Sequence, residues 1–240
     1  MDEVGICIVT HNDYFMSKLV IDRLLEKTSL KPRLYIVDNG SSDQRTVNYC
    51  AEVCSKNAGY FRILKQGKKY TEALNELLRI VHQKYCVIFP INAIVYQNWL
   101  EDLIYYIKAY ESVGVTSIRS GSENVHFMPL LHKSSSKPED ELRNIFITEN
   151  NTVEGILCFD RSKFDEVGFF DEKLQHRGFE QHEFCFRIAS LGMNNIYIRK
   201  QTYVKIPLEN EVLFPKKTKE GMDEFKMNVE WMIKNQMFKK

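Results

Sequence analysis

The chain has 240 residues, 44% of them hydrophobic and 27% charged, with a formal net charge of +1. That balance suits a soluble globular protein with a substantial core, in one large domain or two small ones, and excludes a global field that would recruit nucleic acid or an anionic membrane. No secretory leader pattern opens the sequence and no apolar run reaches membrane-spanning length, so a cytoplasmic location is expected. The six cysteines (Cys7, Cys50, Cys54, Cys86, Cys158, Cys185) include no C-x-x-C spacing. Four sit in apolar runs, and Cys50 and Cys54 share a helix face as packing, so a zinc site or disulfide framework is not expected.

In chain order, Val4–His11 reads as a continuous apolar strand, as do Arg33–Asp38, Tyr60–Leu64 and Tyr85–Phe89. Strands without alternation are those covered on both faces of a parallel sheet. Between them Phe15, Leu19, Leu24 and Leu25 fit a helix with one apolar side, and Tyr70, Ala73, Leu74, Leu77 and Val81 fit another. Strand–helix–strand units with short joints predict an α/β, doubly wound, mostly parallel sheet. Residues 119–152 break the rhythm with a polar stretch that includes Ser134–Glu141, and a lid and an insertion both stay open as readings. Val153–Phe159 reads as a strand, Glu183–Gly192 as a helix ending at glycine and Asn194–Arg199 as a strand. From Lys216 onward Met222, Phe225, Val229, Met232 and Ile233 form one stripe, an amphipathic terminal helix that packs on the body or docks peripherally on a membrane. The expected organisation is one domain over 1–215, followed by the tail 216–240.

In open α/β sheets ligands bind beyond the carboxyl ends of the strands. The first strand ends Thr10-His11-Asn12-Asp13 and the second ends Asp38-Asn39-Gly40-Ser41-Ser42-Asp43. Asp38 can accept from a base imide or ribose hydroxyls, Asn39-Gly40 permits a tight turn, and Ser41 or Ser42 can cap the following helix. Turn-and-cap chemistry alone accounts for the same residues, and both readings stay open here.

The order of these motifs, followed by a strand ending near 90, GILCFDRSKFDEVGFFDE and GFEQHEFCFRIASLG, resembles glycosyltransferase family 2 over roughly Val4–Arg199. The resemblance implies the GT-A fold, with a nucleotide-binding half over about 1–118 and an acceptor-side half over about 119–215, and inverting sugar transfer from a nucleotide-diphosphate sugar, UDP- or GDP-linked, to a glycan or other hydroxyl acceptor. It implies donor contacts at Thr10, Asn12, Asp38, Ser41, Asn75 and Asn92, with Thr71 and Ala73 at the same helix start. Gly155 and Asp160 would face the acceptor, and Val167–Glu172 would form a scaffolding turn, with Phe169 where the similar turn has glycine. An acidic pair in that family supplies the general base. Here the pair reads Glu180-Gln181, so Glu180 inherits the role, since glutamine cannot take a proton, and Glu183 is the understudy. Arg187, expected about half a turn from Glu183, is an ion-pair partner or a phosphate contact.

Where similar chains carry a D-x-D that holds Mn²⁺ or Mg²⁺, this one reads Pro90-Ile91-Asn92. Asn92 and His182 are the weak metal candidates, so the need for a metal is left open. Lys65, Lys68, Lys69, His176 and Arg177 are the alternative cations for the diphosphate. Three readings remain: an active enzyme with an atypical metal site, a non-catalytic nucleotide- or sugar-binding module, and a nucleotidyltransferase-like protein sharing only the topology.

Overall fold

A computed structural model describes residues 3–120, 144–148, 151–174 and 179–206. The predicted terminal helix, His176, Arg177 and most of the polar stretch before Thr152 lie outside the described residues. The elements run β1 (Val4–Thr10), α1 (Tyr14–Glu26), β2 (Arg33–Asp38), α2 (Gln44–Lys56), β3 (Tyr60–Ile63), α3 (Tyr70–Leu78), β4 (Tyr85–Ile88), β5 (Ala93–Val95), α4 (Trp99–Ala109) and β6 (Val113–Ser120). After these come β7 (Ile145–Ile147), β8 (Ile156–Asp160), α5 (Lys163–Val167), α6 (Phe179–Ser190) and β9 (Asn194–Lys205).

The described strands form one nine-stranded sheet in the order β3-β2-β1-β4-β8-β6-β9-β5, with β7 also on β9. β3, β2, β1 and β4 are mutually parallel, β8 runs antiparallel between β4 and β6, and β6 and β9 are again parallel. β2 and β3 lie on one side of β1 and β4 on the other. Strand order therefore reverses between β1 and β4, and their carboxyl ends open the crevice where such sheets take ligands.

Both faces of β1, β2 and β4 are covered, which is why these strands read as unbroken apolar runs, while β3 at the edge stays partly exposed. Val20, Ile21 and Leu24 of α1, Cys50 and Val53 of α2 and Trp99, Leu100 and Leu103 of α4 pack on one face. Ala73, Leu74 and Leu77 of α3 and Phe184, Cys185 and Ile188 of α6 pack on the other. All six cysteines are buried and free, as packing residues should be. The expected apolar side of α1 is corrected in phase: Ser17, Val20, Ile21 and Leu24 face the sheet, while Phe15 is 72% and Leu19 52% exposed. Leu19 lies outside the Val20–Leu24 arc, and the burial of Ser17 shows the sheet, not residue polarity, choosing the face.

Helix α6 is seated by one close approach. A Cβ on Gly114 of β6 would stand 2.2 Å from Ile188 Cγ2 and 3.1 Å from Met193 Cβ. Gly114→Ala is therefore expected to lower stability by about 1–3 kcal/mol through overpacking, read as a shift of the urea midpoint with an unchanged slope.

Candidate active site

At the ends of β1 and β2 the carboxylate of Asp38 is 0% exposed. Its Oδ1 accepts from the Ser41 N–H (2.8 Å), and its Oδ2 accepts from the Ser41 hydroxyl (2.5 Å), with Thr10 Oγ1 at 3.3 Å. Ser41 Oγ in turn accepts the Asn12 N–H at 2.7 Å. The Asn12 side-chain oxygen takes the N–H groups of Ser42 (2.6 Å) and Asp43 (3.1 Å), and its φ of 50° turns the chain to reach them. Asn39 clamps the next loop, donating to the Lys68 carbonyl and accepting the Lys68 N–H, each at 2.8 Å. Gly40 (φ +80°) is required beside it, because a Cβ there would stand 3.0 Å from the Gly67 nitrogen. Asp43, not Ser41 or Ser42, caps α2, accepting the Arg45 N–H at 3.0 Å. Both serines are already engaged by Asp38 and Asn12.

Beyond β4, Pro90-Ile91-Asn92 makes a turn closed by the Ala93 N–H on the Pro90 carbonyl at 3.1 Å. Asn92 is 0% exposed. Its side-chain N–H donates to the Ile206 carbonyl (2.8 Å), while its own carbonyl accepts the Ile206 N–H (2.9 Å). It thereby prolongs the β5–β9 ladder by one side-chain rung. Pro90 and Ile91 have no ligating side-chain atom, and among the described residues no group of three His, Cys, Asp or Glu is arranged to hold a metal. The donor set does not fit a two-carboxylate divalent site.

The first turn of α6 brings Glu180, Gln181 and His182 to the same edge, all nearly fully buried. A negative charge on Glu180 is favoured there by the helix dipole. Gln181 donates to and accepts from the Gly155 backbone. His182 Nε2 lies 3.6 Å from Glu154 Oε2, whose side chain keeps 23% exposure. Glu183 makes a two-pronged ion pair with Arg187, at 2.5 and 2.6 Å. Burial pushes the Glu183 carboxyl upward, and the Arg187 guanidinium only partly offsets it. Arg187 also donates to the carbonyls of Val167, Gly168 and Phe169. Asn75 of α3 donates to the Phe170 carbonyl and to Glu172 Oε1, both at 2.9 Å. The turn 167–172 is thus fastened to α6 from one side and to α3 from the other. Phe169 packs on Phe164 with ring centroids 4.9 Å apart, so the added ring joins the aromatic layer beneath the turn.

Against known proteins, the Glycosyl transferase family 2 model matches residues 5–168. The chain belongs to glycosyltransferase family 2. A mannosyltransferase from Pyrobaculum calidifontis, solved with GDP-Man and Mn²⁺, is 18% identical with a TM-score of 0.68, over 87% of this chain and 58% of its own. GalNAc-T7, solved with UDP, GalNAc and Mn²⁺, is 13% identical with a TM-score of 0.72, over 95% of this chain and 47% of its own. S. aureus TarS 1–349, solved with UDP-GlcNAc, is 15% identical with a TM-score of 0.66, over 97% of this chain and 67% of its own. At such identities the likeness is one of fold, and that fold is GT-A. The chain spans about half to two thirds of the length of these structures. No curated protein matches it by sequence.

Within the family 2 frame, Thr10, Asn12, Asp38, Ser41 and Asn92 all stand at the carboxyl edge of the sheet, and Gly155, Glu180 and His182 close it from the α6 side. Asp160 is corrected. β8 runs antiparallel to β4, so Leu157 faces Ile88 but Asp160 faces Tyr85, at the far edge. That is roughly 10 Å further along the strand. There Asp160 accepts the Ser162 N–H, and Arg161 donates to the Val81 carbonyl. Arg187 is also corrected: at i+4 it shares the face of Glu183 instead of standing half a turn away. Asn75 is engaged by Phe170 and Glu172, so α3 and the turn are joined through it. Two groups of this edge carry no signal in the sequence: Glu154 stands inside the apolar run Val153–Phe159, and Gln181 stands where the family resemblance expects an acid.

Glu172 yields a pH signature. Its carboxyl is held below the usual 4.5 chiefly by the Asn75 hydrogen bond, against a contrary push from burial and with help from Arg79. A depressed native value adds stability above the unfolded value that is lost as pH falls through the native one. Denaturant midpoints taken below pH 4.5 should fall more steeply for the parent than for Glu172→Gln.

Proposed function

We propose that this chain transfers a sugar from a UDP- or GDP-linked donor to a hydroxyl of a glycan or glycoconjugate, with inversion at the anomeric carbon. Membership of glycosyltransferase family 2 supports it, and the observation that carries it is Glu180 in the first turn of α6, at the edge where β1, β2 and β4 end. Donors of this kind occupy the similar structures of the mannosyltransferase and TarS.

In this reading the acceptor oxygen attacks the anomeric carbon as Glu180 takes its proton. The bond from that carbon to the diphosphate oxygen breaks on the opposite face, and the nucleoside diphosphate leaves with the electron pair. Glu183 is already paired with Arg187, so its part is to seat the helix. Thr10, Asp38, Ser41 and Asn12 shape the nucleoside side of the crevice. A Lewis acid held by two carboxylates at residues 90–92 does not fit the donor set, so charge on the leaving diphosphate falls to cations and amides. Lys65 and Lys69 precede α3, and the Lys69 side chain at its N-cap makes no capping hydrogen bond. Lys68 is less free for this, because its ammonium is paired with Glu76 at 2.7 Å.

A second reading, a nucleotide- or sugar-binding module without catalysis, is favoured by Asn92 alone, which fastens β9 where the family resemblance expects an acid. Calorimetric titration of UDP- and GDP-sugars with Mn²⁺ and with EDTA separates the two, together with a transfer assay. Affinity is expected to be the same in both buffers, and Glu180→Gln should lose at least about 100-fold in transfer rate while still binding donor. Binding without transfer to any of a broad acceptor panel would favour the module. Affinity lost in EDTA would restore a resident metal, and no nucleotide binding at all would end the reading.

A further inference from the structure

The segment leading into β8 is held in an unusual way. A strand entrance normally satisfies its backbone from a neighbouring strand. Here all four backbone polar groups of Glu154 and Gly155 are met by side chains. The Glu154 N–H donates to the Tyr197 hydroxyl at 2.8 Å, and its carbonyl accepts from the Ser117 hydroxyl at 2.7 Å. The Gly155 N–H donates to Gln181 Oε1 at 2.8 Å, and its carbonyl accepts from Gln181 Nε2 at 3.2 Å. Gly155 has φ +92°, and a Cβ there would lie 2.4 Å from the Tyr203 hydroxyl. The rim is built from β6, β9 and α6 together; α6 meets it through the His182–Glu154 contact and the Cys185–Val153 bond, and Gln181 alone among these holds both backbone groups of Gly155.

We propose that Gln181 is a positioning residue of the transfer site: by gripping both backbone groups of Gly155 it fixes the Glu154–Gly155 rim to the first turn of α6, and so fixes Glu180 against the sheet edge. This rests on the reading of Glu180 as the general base. The grip needs one donor and one acceptor on the same planar group, which an amide has and a carboxylate lacks. An ionised acid of the same shape would keep the Gly155 N–H and set a negative charge against the Gly155 carbonyl. A protonated acid would restore both bonds.

Gln181→Glu therefore converts the grip into a titratable one. The folded state favours the protonated carboxyl, so its native pKa lies above the unfolded value. The contribution is present at low pH and is lost as pH rises through the native value. The ionisable groups on the surrounding elements are Glu154, Glu180, His182, the Glu183–Arg187 pair, Tyr197 and Tyr203. All are common to variant and parent, so the variant-to-parent ratio isolates the new carboxyl. That ratio of kcat is expected to fall at least about tenfold between about pH 5 and about pH 8, with the KM for nucleotide sugar unchanged. Gln181→Ala should show a loss of kcat that does not vary with pH. The melting temperature of Gln181→Glu without substrates should approach that of the parent at low pH and drop away over the same range. A flat kcat ratio beside a pH-dependent melting difference would make Gln181 a structural fastening only, and would overturn the proposal. So would parental kcat in Gln181→Ala, or flat ratios in both readouts. If the parent transfers no sugar, the enzyme reading falls and the positioning role with it, while the melting measurement still reports the grip by itself.

Discussion

Removing a carboxylate from water costs several kcal/mol unless hydrogen bonds replace those it had, and Asp38 is wholly removed. The chain answers by turning the residues around it inward. Ser41 gives both its N–H and its hydroxyl, and Thr10 comes from the neighbouring strand. Once Ser41 is committed, its oxygen is left to accept the Asn12 N–H, and the Asn12 side chain then reaches the start of α2. Asn39, one residue past the carboxylate, locks the loop before α3. Two loops thus take their shape from one buried carboxyl group, and Asn39 beside it fixes a third.

The α6 side of the crevice obeys the same logic with the sign reversed. Arg187 is a buried-face cation whose fork satisfies Glu183 and still has N–H groups for three successive carbonyls of the turn 167–172. A lysine has one point charge and no planar fork for that task. Asn75 then takes the next carbonyl, Phe170, and the Glu172 carboxylate, across 95 and 97 positions of the chain. Movement of α6 is in this way resisted by α3, which holds the same turn through Asn75. The site is a closed circuit of side chains on backbone groups, in which the two halves are not independent.

How much of this could be read beforehand follows from what each residue contacts. β1, β2 and β4 were legible because covered strands carry apolar side chains on both faces, as Ile6–Val9 and Cys86–Ile88 do, whereas β3 is an edge strand with Arg62 and Ile63 exposed. The edge carrying Asp38 and Glu180 was legible through motif order. Asp160 was misplaced because a motif fixes sequence distance, and only the antiparallel pairing of β8 shows which end of the strand faces the crevice. The phase of α1 was misjudged because exposed Phe15 and Leu19 look apolar whatever they face. α4 and β6 went unforeseen as elements, since Asn98 enters α4 through a left-handed turn without a side-chain cap, and β6 carries Gly114 and buried Thr116 and Ser117 within its run. Hydrogen-bonding partners such as Gln181 with Gly155 leave no local pattern at all, for they join residues 26 apart through geometry alone.

That last class bears on the missing acids. Asn92 and Gln181 both stand where the family resemblance expects carboxylates, and each directs its N–H₂ to a backbone carbonyl, at Ile206 and at Gly155. An acid at either place would confront an acceptor with an acceptor, at a buried site where nothing dilutes the repulsion. The two amides are therefore coupled to the path of the chain around them, the end of β9 in one case and the entrance of β8 in the other. An acid in place of Asn92 would meet the Ile206 carbonyl with a carboxylate oxygen, so a carboxylate could turn toward a cation there only by releasing the end of β9. The departure from D-x-D is in this sense a property of the fold's edge, in which negative charge has been exchanged for hydrogen-bond donors.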